Sequence, residues 1–195
     1  MKAANLFLSL ALVTSLCSFA PKDNSACYTS FTDPKGLQAT FPQRKAATVT
    51  SAQFQDIQAA SAVVAAAESY DVAYSNKKKQ IVVTLKVQQS PDQLDQNSKE
   101  GILEHLKTKN RAWATAASKD LIELDYNGYH FYGLSANAIN TDTLSLFVSF
   151  TEGNNAVYLC FMNASKSFKT MEAFKSLRNG FIGDYTNYLR ECTHQ

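Results

Sequence analysis

In the stretch DYNGYH, residues 125–130, a carboxylate and an imidazole flank an Asn-Gly pair. Asp125 and His130 are residue types from which hydrolytic sites are built. The imidazole takes a proton from a nucleophile, and the carboxylate orients the ring and stabilises its charge. Such a site needs a third member, a hydroxyl or thiol at the other ring nitrogen. Cys160 is the obvious thiol, but it lies inside the apolar run AVYLCFM, where a cysteine packs as a small hydrophobe. Ser135 is near in sequence and lacks any nucleophile-elbow context. Metal chemistry has no pattern to rest on: there is no CxxC, and the histidines are scattered at 105, 130 and 194. The expectation is a structural surface pair, Asp125 with His130, and no catalytic residue, cofactor or metal.

The turn that would hold this pair is legible. Asn-Gly tolerates positive φ at both central positions, which makes LIELDY-NG-YHFYGL a two-residue hairpin. The register follows: Tyr126 faces Tyr129, Asp125 faces His130, Leu124 faces Phe131 and Glu123 faces Tyr132. Alternation then puts Ile122, Leu124, Tyr126, Tyr129 and Phe131 on a core face, with Glu123, Asp125, His130 and Tyr132 on the other. Directly opposed β-carbons stand about 5 Å apart, so an ion pair or hydrogen bond between Asp125 and His130 needs no active site to explain it. On a wet face such a pair contributes about 0–1 kcal/mol.

Around the hairpin other elements can be read. Asp33-Pro34-Lys35-Gly36 has type I turn chemistry, followed by the alternation Leu37, Ala39, Phe41 up to Pro42. In KKKQIVVTLKVQQ, Ile81, Val83, Leu85 and Val87 alternate with Val82, Thr84 and Lys86, the pattern of a central strand. SPDQLDQNSKEGILEHLKTKN is expected to be a helix capped by Ser90, with Pro91 in its first position and Leu94, Ser98, Ile102 and Leu106 as its apolar stripe. His105 stands beside that stripe as a partly exposed boundary residue. TLSLFVSFT-EGNN-AVYLCFM reads as a second hairpin with a four-residue loop; Leu144, Leu146, Val148 and Phe150 share one face, and Ser145, Phe147 and Ser149 the other. SKSFKTMEAFKSLRNGF reads as a helix carrying Phe168, Met171, Phe174 and Leu177, ended by Asn179-Gly180. A last segment with Tyr185, Tyr188, Leu189 and Cys192 on one side would add a turn or two.

Composition bounds the rest. Residues 1–20, MKAANLFLSLALVTSLCSFA, have a basic start, an uncharged apolar run from Leu6 to Leu16 and small residues at Ser18 and Ala20, the layout of a signal peptide. Pro21 suits ordinary cleavage poorly, and cleavage after Cys17 or Ser18 is an alternative. The run is shorter than the roughly 20 residues that span a bilayer. Acylation at Cys17 or Cys27 is a competing reading that would anchor the protein to an envelope membrane. Lys2 is the only charge in this segment, so the remainder carries 18 Lys and Arg against 17 Asp and Glu. That balance supplies no field for nucleic acid, and Lys77-Lys78-Lys79 reads as a solvated turn. Residues 21–29 form a polar leader, and residues 30–195 suffice for a single α+β domain. In an oxidising compartment Cys27, Cys160 and Cys192 remain. Cys27 with Cys192 is the preferred disulfide because chain ends often lie together; Cys160 with Cys192 is the alternative if Cys27 is acylated.

The order FTDPKGLQATFP, YDVAYS, a helix opening LDQNSKEGIL, the hairpin LIELDYNGYHFYG, the strands through AVYLCFM and a closing helix reaching Gly180-Phe181 resembles exported bacterial proteins of the PsbP-like α/β/α-sandwich family. The resemblance covers about residues 30–182. It implies an antiparallel sheet, about six strands here, flanked by helices, and non-catalytic roles as assembly factors or extrinsic subunits. Residues 51–68 are ambiguous, since the alanines favour helix while Val63-Val64 and the alternation favour strand; the resemblance tips them to strand. Some photosynthetic members are associated with metal binding, but no matching ligand cluster stands in this sequence, so no site carries over. The expected function is an exported, periplasmic or extracellular domain that binds an envelope protein partner, with Tyr132, Tyr158, Tyr185 and Tyr188 as a contact surface. A small-molecule or glycan binder is the second expectation, and a hydrolase using His130 the third.

Overall fold

The computed structural model describes residues 25–41, 70–75, 81–109, 113–138, 141–151, 154–163, 168 and 170–193. In chain order these form α1 (Ser25–Thr29), β1 (Gln38–Phe41), β2 (Val72–Ser75), β3 (Ile81–Gln89), α2 (Lys99–Lys109), a 3-10 turn (Ser118–Asp120), β4 (Ile122–Tyr126), β5 (Tyr129–Ala138), β6 (Thr141–Thr151), β7 (Asn155–Asn163) and α3 (Met171–Thr193). The strands make one sheet in the order β1-β2-β3-β7-β6-β5-β4, with every neighbouring pair antiparallel. Seven strands thus stand where about six were expected. The expected strands at 51–68 and the signal segment 1–20 lie outside the described residues.

Two cores sit on opposite faces of the sheet. On one, Ile102, Leu103 and Leu106 of α2 pack with Trp113 on Val82, Leu134, Leu144, Leu146, Val148 and Met162. On the other, Phe174, Phe181, Ile182, Tyr185 and Leu189 of α3 cover Leu85, Phe131, Phe147, Leu159 and Phe161. The product is an α/β/α sandwich. The central strand β7 is covered on both sides and reads as an apolar run rather than an alternation. The stretch taken as a polar leader contributes to the second core, because Tyr28 of α1 is buried there beside Phe31. Two buried tyrosines hold that entry: Tyr74 Oη donates to the Phe31 carbonyl at 2.9 Å, and Tyr185 Oη to the Tyr28 carbonyl at 2.9 Å.

Three expected boundaries differ. α2 begins at Lys99, not after Ser90; Ser98 is its cap, its Oγ accepting from the Gly101 amide at 3.2 Å. Ser90 is buried and accepts from Gln96 Nε2 at 2.8 Å, while the same amide donates to Asn154 Oδ1 at 3.1 Å. Its hydroxyl therefore joins two connections and caps no helix. The β6–β7 hairpin pairs Thr151 with Asn155, one step tighter than a four-residue loop, with Asn154 at φ 60°. Finally, α3 runs through Asn179-Gly180 for 23 residues. Phe174, Arg178, Phe181, Ile182, Tyr185 and Leu189 recur at helical spacing and are all buried. Burial of such a stripe outweighs the cost of about 1 kcal/mol for one interior glycine. Gly180 also leaves room for Lys35, whose Nζ would stand 2.8 Å from a β-carbon there and pairs with Asp184 at 2.9 Å.

Candidate functional site

The β4–β5 hairpin has the expected register, Tyr126↔Tyr129, Asp125↔His130, Leu124↔Phe131 and Glu123↔Tyr132. Asn127 (φ 53°) and Gly128 (φ 86°) both take positive φ, the backbone that a two-residue turn demands. The turn is tied down by its own side chain: Asn127 Nδ2 donates to the Gly183 carbonyl at 3.2 Å and to Thr186 Oγ1 at 3.0 Å on α3. Ile122, Leu124, Tyr126 and Tyr129 pack against the α3 core. The opposite face carries the polar residues.

There the structure brings four titratable groups into a string. His130 Nδ1 bonds Asp125 Oδ1, and His130 Nε2 stands 3.6 Å from Glu123 Oε2. Glu123 Oε1 accepts from Lys99 Nζ at 2.7 Å, which links the hairpin to the first residue of α2. That hydrogen bond and the Glu123 charge raise the Lys99 pKa. The edge of the Tyr132 ring abuts His130, with centroids 4.4 Å apart. Asp125 is 79% exposed and His130 36%, while the Nε2 atom of His130 is itself closed to solvent and makes no hydrogen bond.

Both imidazole nitrogens therefore face carboxylates, and neither faces a nucleophile. Ser135 projects to the other side of the sheet, where its Oγ lies 2.7 Å from Ser145 Oγ and 3.4 Å from Arg178 Nη1. Cys160 is buried and unpaired in a disulfide, two strands from β5, and burial pushes its thiol up to about 12. Among the described residues no group of three or more His, Cys, Asp or Glu is arranged to hold a metal ion.

Cys27 of α1 and Cys192 of α3 are joined by a disulfide, with Cα atoms 5.9 Å apart. In that state Cys27 has no thiol left for acylation, and Cys192 has none left for the alternative pairing with Cys160. No described helix is long and apolar enough to cross a membrane.

The expected tyrosine surface does not form. Tyr158 and Tyr185 are buried, at 6% and 0% exposure, each with a hydroxyl partner that makes burial tolerable. Tyr132 packs on the α2 side and Tyr188 on the α3 side, so the remaining pair does not share a face. Sequence reading missed the cluster around Tyr158, where His105 Nε2 stands 2.7 Å from the phenol oxygen. The signal available was Lys86 and Tyr158 as polar residues inside otherwise apolar strands. It also missed buried Arg178, whose guanidinium lies 4.9 Å from the Phe147 ring centroid.

No family model matches the chain, and no curated protein matches it. Among solved structures the chain is similar to the solution structure of cyanobacterial PsbP (CyanoP) from Synechocystis sp. PCC 6803, at 14% sequence identity and a TM-score of 0.40, over 59% of this chain and 72% of that one. The likeness is one of fold.

Proposed function

We propose that this protein is an exported, non-catalytic domain that docks on a protein partner of the cell envelope through the outer face of the β4–β5 hairpin. The observation that carries the reading is the exposed string Asp125–His130–Glu123–Lys99, braced at one end by α2 and beneath by the Asn127 anchor. Groups fixed before binding lose little freedom on binding, and carboxylates set beside an ammonium select a complementary surface. Nδ1 of His130 is bonded to Asp125 and Nε2 faces the Glu123 carboxylate, with no nucleophile at either nitrogen, which favours a structural role over proton transfer. Export is supported by the basic and apolar leader at 1–20 and by a disulfide of the kind that persists in oxidising compartments.

The test is site-directed photocrosslinking in intact cells, with the probe at Asp125 or, as a control on the opposite layer, at exposed Lys175. One adduct of defined mass at Asp125, absent at Lys175 and lost with Glu123→Lys, is expected. Equal adducts at both positions, or none, overturn the docking face. Hydrolytic activity of the purified protein that disappears in His130→Ala overturns the non-catalytic assignment.

A further inference from the structure

The chain contains two Asn-Gly pairs, Asn127-Gly128 and Asn179-Gly180, and the fold puts them in opposite settings. Asparagine before glycine is chemically labile, because no β-carbon on the glycine screens its backbone nitrogen from the preceding side-chain amide. Asn179-Gly180 lies inside α3. There the Gly180 N–H is committed to the helical ladder. Asn179 Oδ1 accepts from Arg178 Nε at 3.1 Å, and both residues are partly buried. Asn127-Gly128 instead forms the tip of the β4–β5 hairpin, and both residues are exposed. The closing bonds of such a hairpin belong to the flanking pair, Tyr126 and Tyr129, which leaves the Gly128 N–H to solvent. A β-carbon built on Gly128 would meet nothing within 4 Å, so the approach to this backbone is open.

Two bonds oppose reaction at this tip. Asn127 Nδ2 donates to the Gly183 carbonyl at 3.2 Å and to Thr186 Oγ1 at 3.0 Å, and the Thr186 hydroxyl itself donates to the Gly183 carbonyl at 3.0 Å. Thr186 is fully buried, which holds this clasp in one place. Attack by the Gly128 nitrogen draws the Asn127 amide onto its own backbone and away from α3, so both bonds are lost on the way. The nitrogen that anchors the hairpin is also the leaving group of the reaction.

We propose that Asn127 is the site at which the folded protein deamidates, and that the change unlatches the β4–β5 hairpin from α3. The Gly128 nitrogen gives its proton to hydroxide and bonds Cγ of Asn127. The Cγ–Nδ2 bond breaks, and ammonia leaves after taking a proton from water, which restores the hydroxide. Water then opens the cyclic imide, at Cγ to give aspartate or at the main-chain carbonyl carbon to give isoaspartate. The net change consumes water, releases ammonium and leaves a carboxylate, with no oxidation or reduction. Both products carry oxygen where Nδ2 stood, facing the Gly183 carbonyl without a proton to share. Isoaspartate also adds a backbone atom to a turn whose two-residue register has no place for it. The chemistry is the same whether or not the hairpin docks a partner.

Incubation of the oxidised protein at mildly alkaline pH, followed by peptide mapping with mass spectrometry, tests the site. Aspartate and isoaspartate should accumulate at residue 127 while Asn179 stays an amide. In urea with reductant, both pairs should convert at comparable rates. Thr186→Val removes one of the two acceptors and should speed native conversion at 127 about fivefold, the worth of one neutral hydrogen bond. Thr186→Ser keeps the hydroxyl and should stay near the wild-type rate, and near-UV circular dichroism verifies the fold of each variant. In the converted fraction, amide exchange should quicken at Tyr126 and Tyr129 and stay slow in β7. Native protein that keeps Asn127 intact while the unfolded chain converts fully, or that loses Asn179 as fast, overturns the site. A rate unchanged by Thr186→Val, or exchange unchanged in the converted fraction, overturns the latch.

Discussion

The ring of Phe147 on β6 occupies the place a β-carbon on Gly133 would need, directly across the strand pair. The Arg178 guanidinium lies 4.9 Å from the centroid of the same ring. The glycine is thus part of the core's shape, the familiar pairing of an aromatic ring over a strand glycine. Gly→Ala at a compatible site adds about 0.4–1 kcal/mol by restricting the unfolded chain. Here the sign reverses. Gly133→Ala should destabilise by about 1–3 kcal/mol through overpacking. Urea denaturation measures it, and Phe147→Leu in the same chain should recover part of the loss.

Asn127 both permits the turn and anchors it. Asn127→Gly keeps the positive φ and removes the Nδ2 bonds to Gly183 and Thr186. The expected cost is about 1 kcal/mol, the net worth of a hydrogen bond or two on a partly wet surface. Amide exchange should quicken at Tyr126 and Tyr129 while β6 and β7 keep their protection.

Cys27 and Cys192 are separated by 165 residues. Removing the bond by Cys27→Ser with Cys192→Ser should cost about 2–5 kcal/mol, because the unfolded chain regains the freedom of a very long loop. The oxidised wild type should show a reductant-dependent urea midpoint; the double variant should not. Cys160 should stay unreactive toward thiol reagents until the protein unfolds, in keeping with its burial.

His105 supplies a signed pH dependence. Burial and Lys109 hold its pKa at about 4 in the fold, and unfolding returns it to about 6.5. Between these values the unfolded chain binds a proton that the native state refuses, so stability falls as pH drops from about 7 to about 4. After allowance for the half-buried ring's contact with solvent the loss is about 1–2 kcal/mol. Burial raises the pKa of the Tyr158 phenol beside it, which keeps its proton across that window. Stability curves of wild type and His105→Gln should converge or cross on acidification; parallel curves would refute the assignment.

The hairpin at 122–133 was legible because Asn-Gly fixes backbone geometry locally and alternation does the rest. The faces of β6 were legible for the same reason. α2 was misplaced because Ser90-Pro91 carries the local chemistry of a helix start, and only the tertiary bonds through Gln96 and Asn154 show Ser90 engaged elsewhere. Gly180 looked like a stop because local propensity ignores a buried stripe continuing on both sides. The string from Asp125 to Glu123 was half visible, since the hairpin register pairs the residues. Its link to Lys99 was not, being set by where α2 crosses the sheet. Tyr158 and Tyr185 looked like surface residues because their hydroxyl partners come from other elements.

The disulfide has a topological consequence. By joining α1 to the last turns of α3 it makes nearly the whole domain a covalent ring, with both tails leaving from one place. A single proteolytic cut between Cys27 and Cys192 would open that ring without releasing a fragment. The nicked protein would run as one species on a gel until reductant divided it in two. Anything attached to one end would emerge beside whatever is attached to the other.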